Sequence, residues 1–385
     1  MNATPVMDRV VGRSMKGSVP LGVHFDITYR CNERCVHCYL DHEDYGELET
    51  PEVKNILTQL AAAGTLMLTY SGGEIFLRKD FFELLEFARS LHFDITLKSN
   101  ALMITAERAV RLRELGVRQV QVSIYSADPD VHDAITKVRG SFARSLQAIR
   151  FLKSQGLHVK IACPLMKQNL SGLRRLRILA DELGVPYVID MTVTPKLDGD
   201  TSILALRNSG EELLDVIQDA SLRVQATPDV AGESLVGSAV SSGMESDAYD
   251  GIPCSAGHNT CYISPYGEVY PCVQMPIPAG NLRTESFEEI WHRSPQFARV
   301  RAIREDQLPV CSACDIRKYC ERCPGLAHME GGDLMGAYER ACELAEMKAR
   351  VVGVANPLSA WHAQNQGKAP GARASGILIQ ISQHL

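Results

Sequence analysis

The chain has 385 residues, 45% of them hydrophobic, with 46 acidic and 40 basic side chains and a net charge of -6. That balance fits a globular protein of about two domains, offers no basic surplus for nucleic-acid phosphates and contains no apolar run suited to spanning a membrane. The N-terminal stretch lacks the apolar segment of a secretory signal, so a cytoplasmic setting is expected and the 12 cysteines read as metal ligands, not disulfides.

In chain order, residues 23–28 (VHFDIT) read as a strand, preceded by an extension over 1–21. The run C-N-E-R-C-V-H-C follows, with Cys31, Cys35 and Cys38 spaced C-x3-C-x2-C and no fourth cysteine beside them. A cubane iron–sulfur cluster takes one ligand per iron. Three thiolates therefore leave one iron to a non-protein group, and an open metal position is where chemistry takes place. A zinc knuckle or three free thiols is the bland alternative.

Thr50 as N-cap with Pro51 at N1 predicts a helix, with Val53, Ile56, Leu57 and Leu60 on one face and Gly64 at its end. Residues 65–70 predict a second strand, which runs into Ser71, Gly72, Gly73 and Glu74. Two glycines let a backbone approach a ligand closely, and the neighbouring acid can accept from an ammonium group. Asp80 with Glu83 predicts a capping-box-like helix start, with Leu84, Phe87, Ala88 and Leu91 as the apolar stripe. Strand three spans 93–97 and leads into Lys98, Ser99 and Asn100. A helix runs from Thr105 to Gly116, and strand four over 118–124 carries Ser123. A helix over 141–155, strand five over 157–163, a helix over 170–183 and strand six over 185–192 complete the series. Repeated β–α units require right-handed crossovers and a parallel sheet. Their periodicity leaves open a curved barrel or a doubly wound sheet.

Residues 196–250 are less regular, with a predicted helix over 211–222 and a Ser-, Gly- and acid-rich stretch over 232–250, and read as a bridge. Eight of the 12 cysteines then fall in the next segment: Cys254, Cys261, Cys272, Cys311, Cys314, Cys320, Cys323 and Cys342. A zinc ribbon from Cys311, Cys314, Cys320 and Cys323 is possible. It would leave four cysteines without a role, whereas eight thiolates complete two fully ligated cubanes. Cys163, in I-A-C-P, is left over and reads as core filler. The tail over 348–385 reads as mobile.

The cysteine loop resembles the C-x3-C-x-φ-C signature of the radical S-adenosylmethionine (radical SAM) superfamily, with His37 at φ. The resemblance implies an α/β fold, a partial (β/α)6 barrel over 22–195, in which the open iron chelates SAM. Gly72, Gly73 and Glu74 resemble the GGE motif that meets the methionine amino group. Asn100, Ser123 and Arg139 resemble positions that meet the ribose or carboxylate of SAM. The second cysteine field over 251–347 resembles a SPASM domain, with Gly267 through Cys272 matching its G-x4-C element and one residue fewer before Cys323 than is usual. That resemblance implies two auxiliary [4Fe-4S] clusters: one on Cys254, Cys261, Cys272 and Cys323, the other on Cys311, Cys314, Cys320 and Cys342. Full ligation suits electron transfer or structure.

Three functions follow as expectations. The first is maturation of a ribosomally made peptide, as in pyrroloquinoline quinone- and mycofactocin-type maturases. The second is a tetrapyrrole or other small-molecule reaction, as in anaerobic haem-pathway enzymes. The third is a non-catalytic iron–sulfur electron carrier. The short N-terminal extension suggests that any leader-binding module (a peptide chaperone) is a separate protein or absent, and reductive chemistry implies a flavodoxin- or ferredoxin-type donor. Val273 after Cys272 lacks the acid that sulfatase maturases carry there. His24, His37, Tyr125 and His258 are pocket candidates without an assigned role.

Overall fold

Strict alternation of apolar and polar residues along the strands decides how this chain folds. In the computed structural model, which describes residues 6–222 and 251–365, six parallel strands run in sequence. They are β1 (Gly22–Thr28), β2 (Met67–Gly72), β3 (Asp94–Ser99), β4 (Gln119–Ser123), β5 (His158–Pro164) and β6 (Tyr187–Asp190). One face carries Val23, Phe25, Ile27, Leu68, Tyr70, Ile95, Leu97, Val120, Val122, Val159 and Ile161, all buried in the main core. That face is covered by α2 (Thr50–Ala62), α3 (Phe81–Ser90), α4 (Ala106–Glu114), α6 (Ser141–Ser154) and α7 (Leu173–Leu183), which contribute Ile56, Leu57, Leu84, Leu112, Ile149 and Leu176. Each such side chain contributes roughly 1.5–3 kcal/mol on burial. The opposite face presents His24, Thr69, Ser71, Thr96, Lys98, Gln121, Ser123, Lys160 and Asp190 to a cavity. A polar inner face on a parallel sheet makes a hollow, not a second core.

The C-terminal region is not a separate body. Its strand β7 (Thr260–Ile263) pairs in parallel with β1, and β8 (Glu268–Tyr270) and β9 (Gly280–Asn281) continue antiparallel. The result is one nine-stranded sheet in the order β6-β5-β4-β3-β2-β1-β7-β8-β9, left open at β6 and β9. A helix over Glu339–Val351 braces the far edge. Its buried Arg340 donates to the carbonyls of Met191, 2.7 Å, and Asn208, 2.9 Å.

Several local expectations shift. The N-cap of α2 is Glu49, in a reciprocal capping box with Glu52, while Thr50 Oγ1 donates to Asp80 at 2.7 Å. Asp80 caps α3 without a side-chain bond because Arg78 and Thr50 occupy its carboxylate. The helix expected over 211–222 shortens to α8 (Leu214–Gln218) plus a 3-10 turn. Seven described helices are not expected from the sequence: α1 (Val6–Gly17), α5 (Pro129–Thr136), Phe287–Arg293, Pro295–Arg301, Pro324–Gly331, Glu339–Val351 and Ala360–Asn365. The tail boundary at 348 cuts through the Glu339–Val351 helix, and Ala360 N donates to Cys314 Sγ at 3.5 Å. The stretch over 232–250 and the terminal GILIQIS lie outside the described residues.

The glycine pair after β2 is required by the protein's own backbone. Gly72 has φ 127°, in the region open to glycine, and a Cβ there would lie 2.0 Å from Thr28 O. A Cβ on Gly73 would lie 2.2 Å from Arg30 O. Gly73 N and Glu74 N donate to those same carbonyls, each at 2.8 Å. Gly73→Ala is therefore expected to displace the cysteine loop and lower stability by about 2 kcal/mol or more. A thermal melt showing an unchanged midpoint would mean the loop yields freely.

Candidate active site

The polar face of the strands and the cysteine-rich C-terminal region enclose one cavity of about 1310 Å³. Cys31, Cys35 and Cys38 line it from the loop after β1, and all three are partly buried. The loop is held from below by α5, since Arg34 N donates to Thr136 O and Val36 N to Ile135 O. Cys31 Sγ accepts from Glu33 N at 3.5 Å and from Asn100 Nδ2 at 3.8 Å. Cys35 Sγ donates to Glu33 Oε2 at 3.3 Å and lies 3.7 Å from the Tyr125 hydroxyl. Burial pushes the Cys31 thiol up to about 12 and raises those of Cys35 and Cys38. It also pushes the Glu33 carboxyl up to about 7. Thiols in such surroundings stay protonated until a metal displaces the proton.

Tyr125 packs against this loop, with His37 edge-on at 4.8 Å and His132 stacked at 5.3 Å. His132 Nδ1 accepts from Tyr125 N at 3.1 Å. Burial lowers both His37 and His132 to about 4, so each imidazole is neutral near pH 7.

Gly72, Gly73, Asn100 and Ser123 line the cavity. Glu74 does not: it is fully buried, and its carboxylate accepts from Ser99 Oγ at 2.9 Å, Asn100 N at 2.9 Å and Phe76 N at 3.2 Å. Burial raises its carboxyl to about 7 against those three donors. Glu74 thus ties the end of β2 to the end of β3, holding Asn100 in place. Arg139 is exposed in the turn before α6 and is not part of the cavity wall.

The C-terminal cysteines fall into two groups. Cys311, Cys314, Cys320 and Cys342 are within electrostatic reach of one another and all line the cavity. Cys254, Cys272 and Cys323 form the second neighbourhood and also line it. Cys261 is elsewhere, buried in the main core. Cys163 is buried too, its Sγ 3.5 Å from Asn169 Nδ2 and from Tyr125 O, and it touches the cavity wall. Among the described residues, no three His, Cys, Asp or Glu side chains converge as a single metal ion would need. A multi-iron cluster needs its thiolates spread around a volume, which suits these groups.

His24, His37 and Tyr125 reach the cavity, and His258 does not. Lys98, Lys160, Gln121 and Asp190 also line it and were not singled out in the sequence. Their signal was present as polar residues at every second position of otherwise apolar strands.

Residues 25–180 match the radical SAM superfamily, and residues 254–315 match an iron-sulfur cluster-binding domain, SPASM. An AdoMet-dependent heme synthase of Methanosarcina barkeri is 28% identical over 332 residues, covering 83% of this chain and 95% of that protein. The mycofactocin maturase MftC of Mycobacterium tuberculosis is 30% identical over 324 residues, 81% of this chain and 80% of that one. Among solved structures, Streptococcus suis SuiB bound to precursor peptide SuiA is similar in fold, with a TM-score of 0.65 at 19% identity, covering 87% of this chain and 80% of SuiB. No described helix is long and apolar enough to cross a membrane.

The buried neutral His132 has a consequence for stability. Its folded value of about 4 lies below the unfolded one, near 6.5, so the unfolded chain binds the extra proton between them. Stability is then complete above pH 6.5 and is lost as pH falls toward 4, by at most about 3 kcal/mol from this group. Denaturant unfolding between pH 7 and 4 is expected to show that loss. It should shrink in His132→Asn, whose amide oxygen can accept from Tyr125 N without titrating.

Proposed function

Because the chain belongs to the radical SAM superfamily and carries a SPASM iron–sulfur domain, we propose that it is an oxidoreductase that matures a ribosomally made peptide. What supports the radical step is the set of three cavity-facing thiols, Cys31, Cys35 and Cys38, with no fourth cysteine in their loop. A [4Fe-4S] cluster on these thiols, when bound, supplies the electron that cleaves SAM to methionine and a 5′-deoxyadenosyl radical, which takes a hydrogen atom from substrate.

The chain's own residues would do the rest. Gly72 and Gly73 set the floor on which the methionine end of SAM rests. Glu74, through Asn100 N, keeps the Asn100 amide turned to the cysteine loop. Ser123 offers a hydroxyl at the cavity wall for ribose, while Arg139, exposed in its turn and outside the cavity wall, is given no contact to the carboxylate. Lys98 and Lys160 make the inner face receptive to substrate carboxylates. The C-terminal thiols would hold auxiliary clusters along the same cavity, placed to carry electrons from a flavodoxin- or ferredoxin-type donor.

The peptide reading draws on MftC and on a PqqA peptide cyclase of Rhodopseudomonas palustris, which is 28% identical over 351 residues. A tetrapyrrole reading is favoured by one observation: the Methanosarcina barkeri heme synthase matches over 95% of its own length. Anaerobic incubation with SAM, reductant and either a neighbouring-gene peptide or a tetrapyrrole separates the two, since only the true substrate should change mass and raise 5′-deoxyadenosine yield. Cys31→Ala is expected to abolish 5′-deoxyadenosine formation, by at least about 1,000-fold, while keeping the C-terminal iron. Continued cleavage of SAM in that variant would remove this loop from the reaction.

A further inference from the structure

Of the pocket histidines and tyrosine, His37 and Tyr125 pack on the cysteine loop, and His258 does not reach the cavity. His24 reaches it elsewhere, from the inner face of β1, beside Thr69 and Thr96 on the neighbouring strands. Its Nε2 lies 3.0 Å from Oδ1 of Asp26, two residues along the same face. Asp26 has no solvent exposure. Its second oxygen accepts from the Tyr262 hydroxyl at 2.9 Å, and that hydroxyl lies 2.6 Å from the Tyr29 hydroxyl. Since Tyr262 gives its proton to Asp26, Tyr29 is the donor to Tyr262. The Tyr262 ring also meets the imidazole edge-on at 5.5 Å. Asp26, Tyr262 and Tyr29 stand behind the cavity wall, and His24 stands in it. An ionised carboxylate only accepts, so Nε2 carries the imidazole proton and Nδ1 is the nitrogen left for a ligand in the cavity.

Resting on the reading that this cavity takes a peptide substrate, we propose that His24 is the catalytic base of the site, with Asp26, Tyr262 and Tyr29 as its positioning residues. Its Nδ1 takes the proton of a hydroxyl, amine or thiol side chain of the precursor. The N–H bond forms, the heteroatom–hydrogen bond breaks, and the heteroatom keeps the electron pair for the bond that maturation makes. A hydrogen atom goes to the 5′-deoxyadenosyl radical, the proton goes to His24, and the remaining electron returns to the donor system that reduced SAM. The precursor therefore loses two hydrogens overall. The carboxylate behind the ring fixes its tautomer and stabilises the imidazolium. The charged and titratable groups that face the ring are Asp26 on its own strand, Lys98 on β3 and Tyr262 on β7, while β2 presents Thr69. Burial first and Lys98 second hold the imidazole below its usual range against the pull of Asp26, so the ring is neutral and able to accept near pH 7.

The test uses the anaerobically reconstituted full chain with SAM, dithionite and the peptide of a neighbouring gene, and reads product formed per 5′-deoxyadenosine. In His24→Gln, whose amide can still donate to Asp26, that ratio should fall about 100-fold or more. For the unsubstituted chain, the ratio should fall as pH drops through the His24 value, and Asp26→Asn should move this limb to lower pH. A purely structural pair would leave the limb in place. The His24 value itself is read without substrate, from deuterium exchange at the imidazole C2 in the tryptic peptide spanning residues 17–30, where it is the only histidine. It should lie below about 6.5, lower still in Asp26→Asn and higher in Lys98→Gln. An unchanged ratio in His24→Gln overturns the proposal and leaves the peptide reading intact. If His24→Gln does not fold, the unsubstituted chain decides: a pH limb that does not coincide with the C2-exchange value overturns the proposal. Conversion of a tetrapyrrole and of no peptide would instead defeat the peptide reading, and the proposal with it.

Discussion

Strand β1 is the member on which the rest of the architecture depends. It is hydrogen-bonded to β2 on one side and β7 on the other, so one seven-residue segment joins the barrel to the cysteine-rich region. Its outward side chains Val23, Phe25 and Ile27 have no solvent exposure, and its C-terminal end delivers the cysteine loop. Arg78 secures that end, donating to Ile27 O at 2.9 Å and Leu48 O at 3.0 Å. A buried guanidinium satisfied by carbonyls and a carboxylate is costly to disturb, which makes the loop's position a property of the core.

The same strand explains why both cysteine fields open onto one cavity. Parallel strands place their functional loops at a common end, and pairing β7 beside β1 carries the C-terminal cysteines to that end as well. Reactive intermediates of a radical reaction benefit from a closed, shaped volume. Here the wall is built from two sequence regions more than 200 residues apart, brought together by backbone pairing and by the Arg340 brace.

Much of the site was legible in order and spacing. The cysteine triplet, the Gly-Gly-Glu turn and the six β–α units were read from local pattern, because thiolate spacing and apolar periodicity are local properties. Other features were not. Glu74 pairs a motif position with a donor set on β3, which only the sheet order supplies. Helix α5 has only eight residues, and although Asp128 caps it with Pro129 at its start, the sequence does not show that it anchors the cysteine loop. The segment Ala360–Asn365 sits in a polar stretch, and its place against Cys314 depends on the Glu339–Val351 helix beneath it.

Amino-acid order alone determined which residues are chemically able to hold metal, how many there are, and that Cys31, Cys35 and Cys38 follow the first strand of a parallel sheet. The tertiary structure decided which thiols line the cavity and which do not. Cys261 and Cys272 belong to the same stretch of cysteine-rich sequence, but the twofold alternation of a paired strand turns Cys261 to the core, while Cys272 lies beyond β8 on the cavity wall. Spacing counts residues along the chain. The side of the sheet on which a sulfur emerges depends on register with a partner strand, and that partner is residues 22–28, far away in sequence.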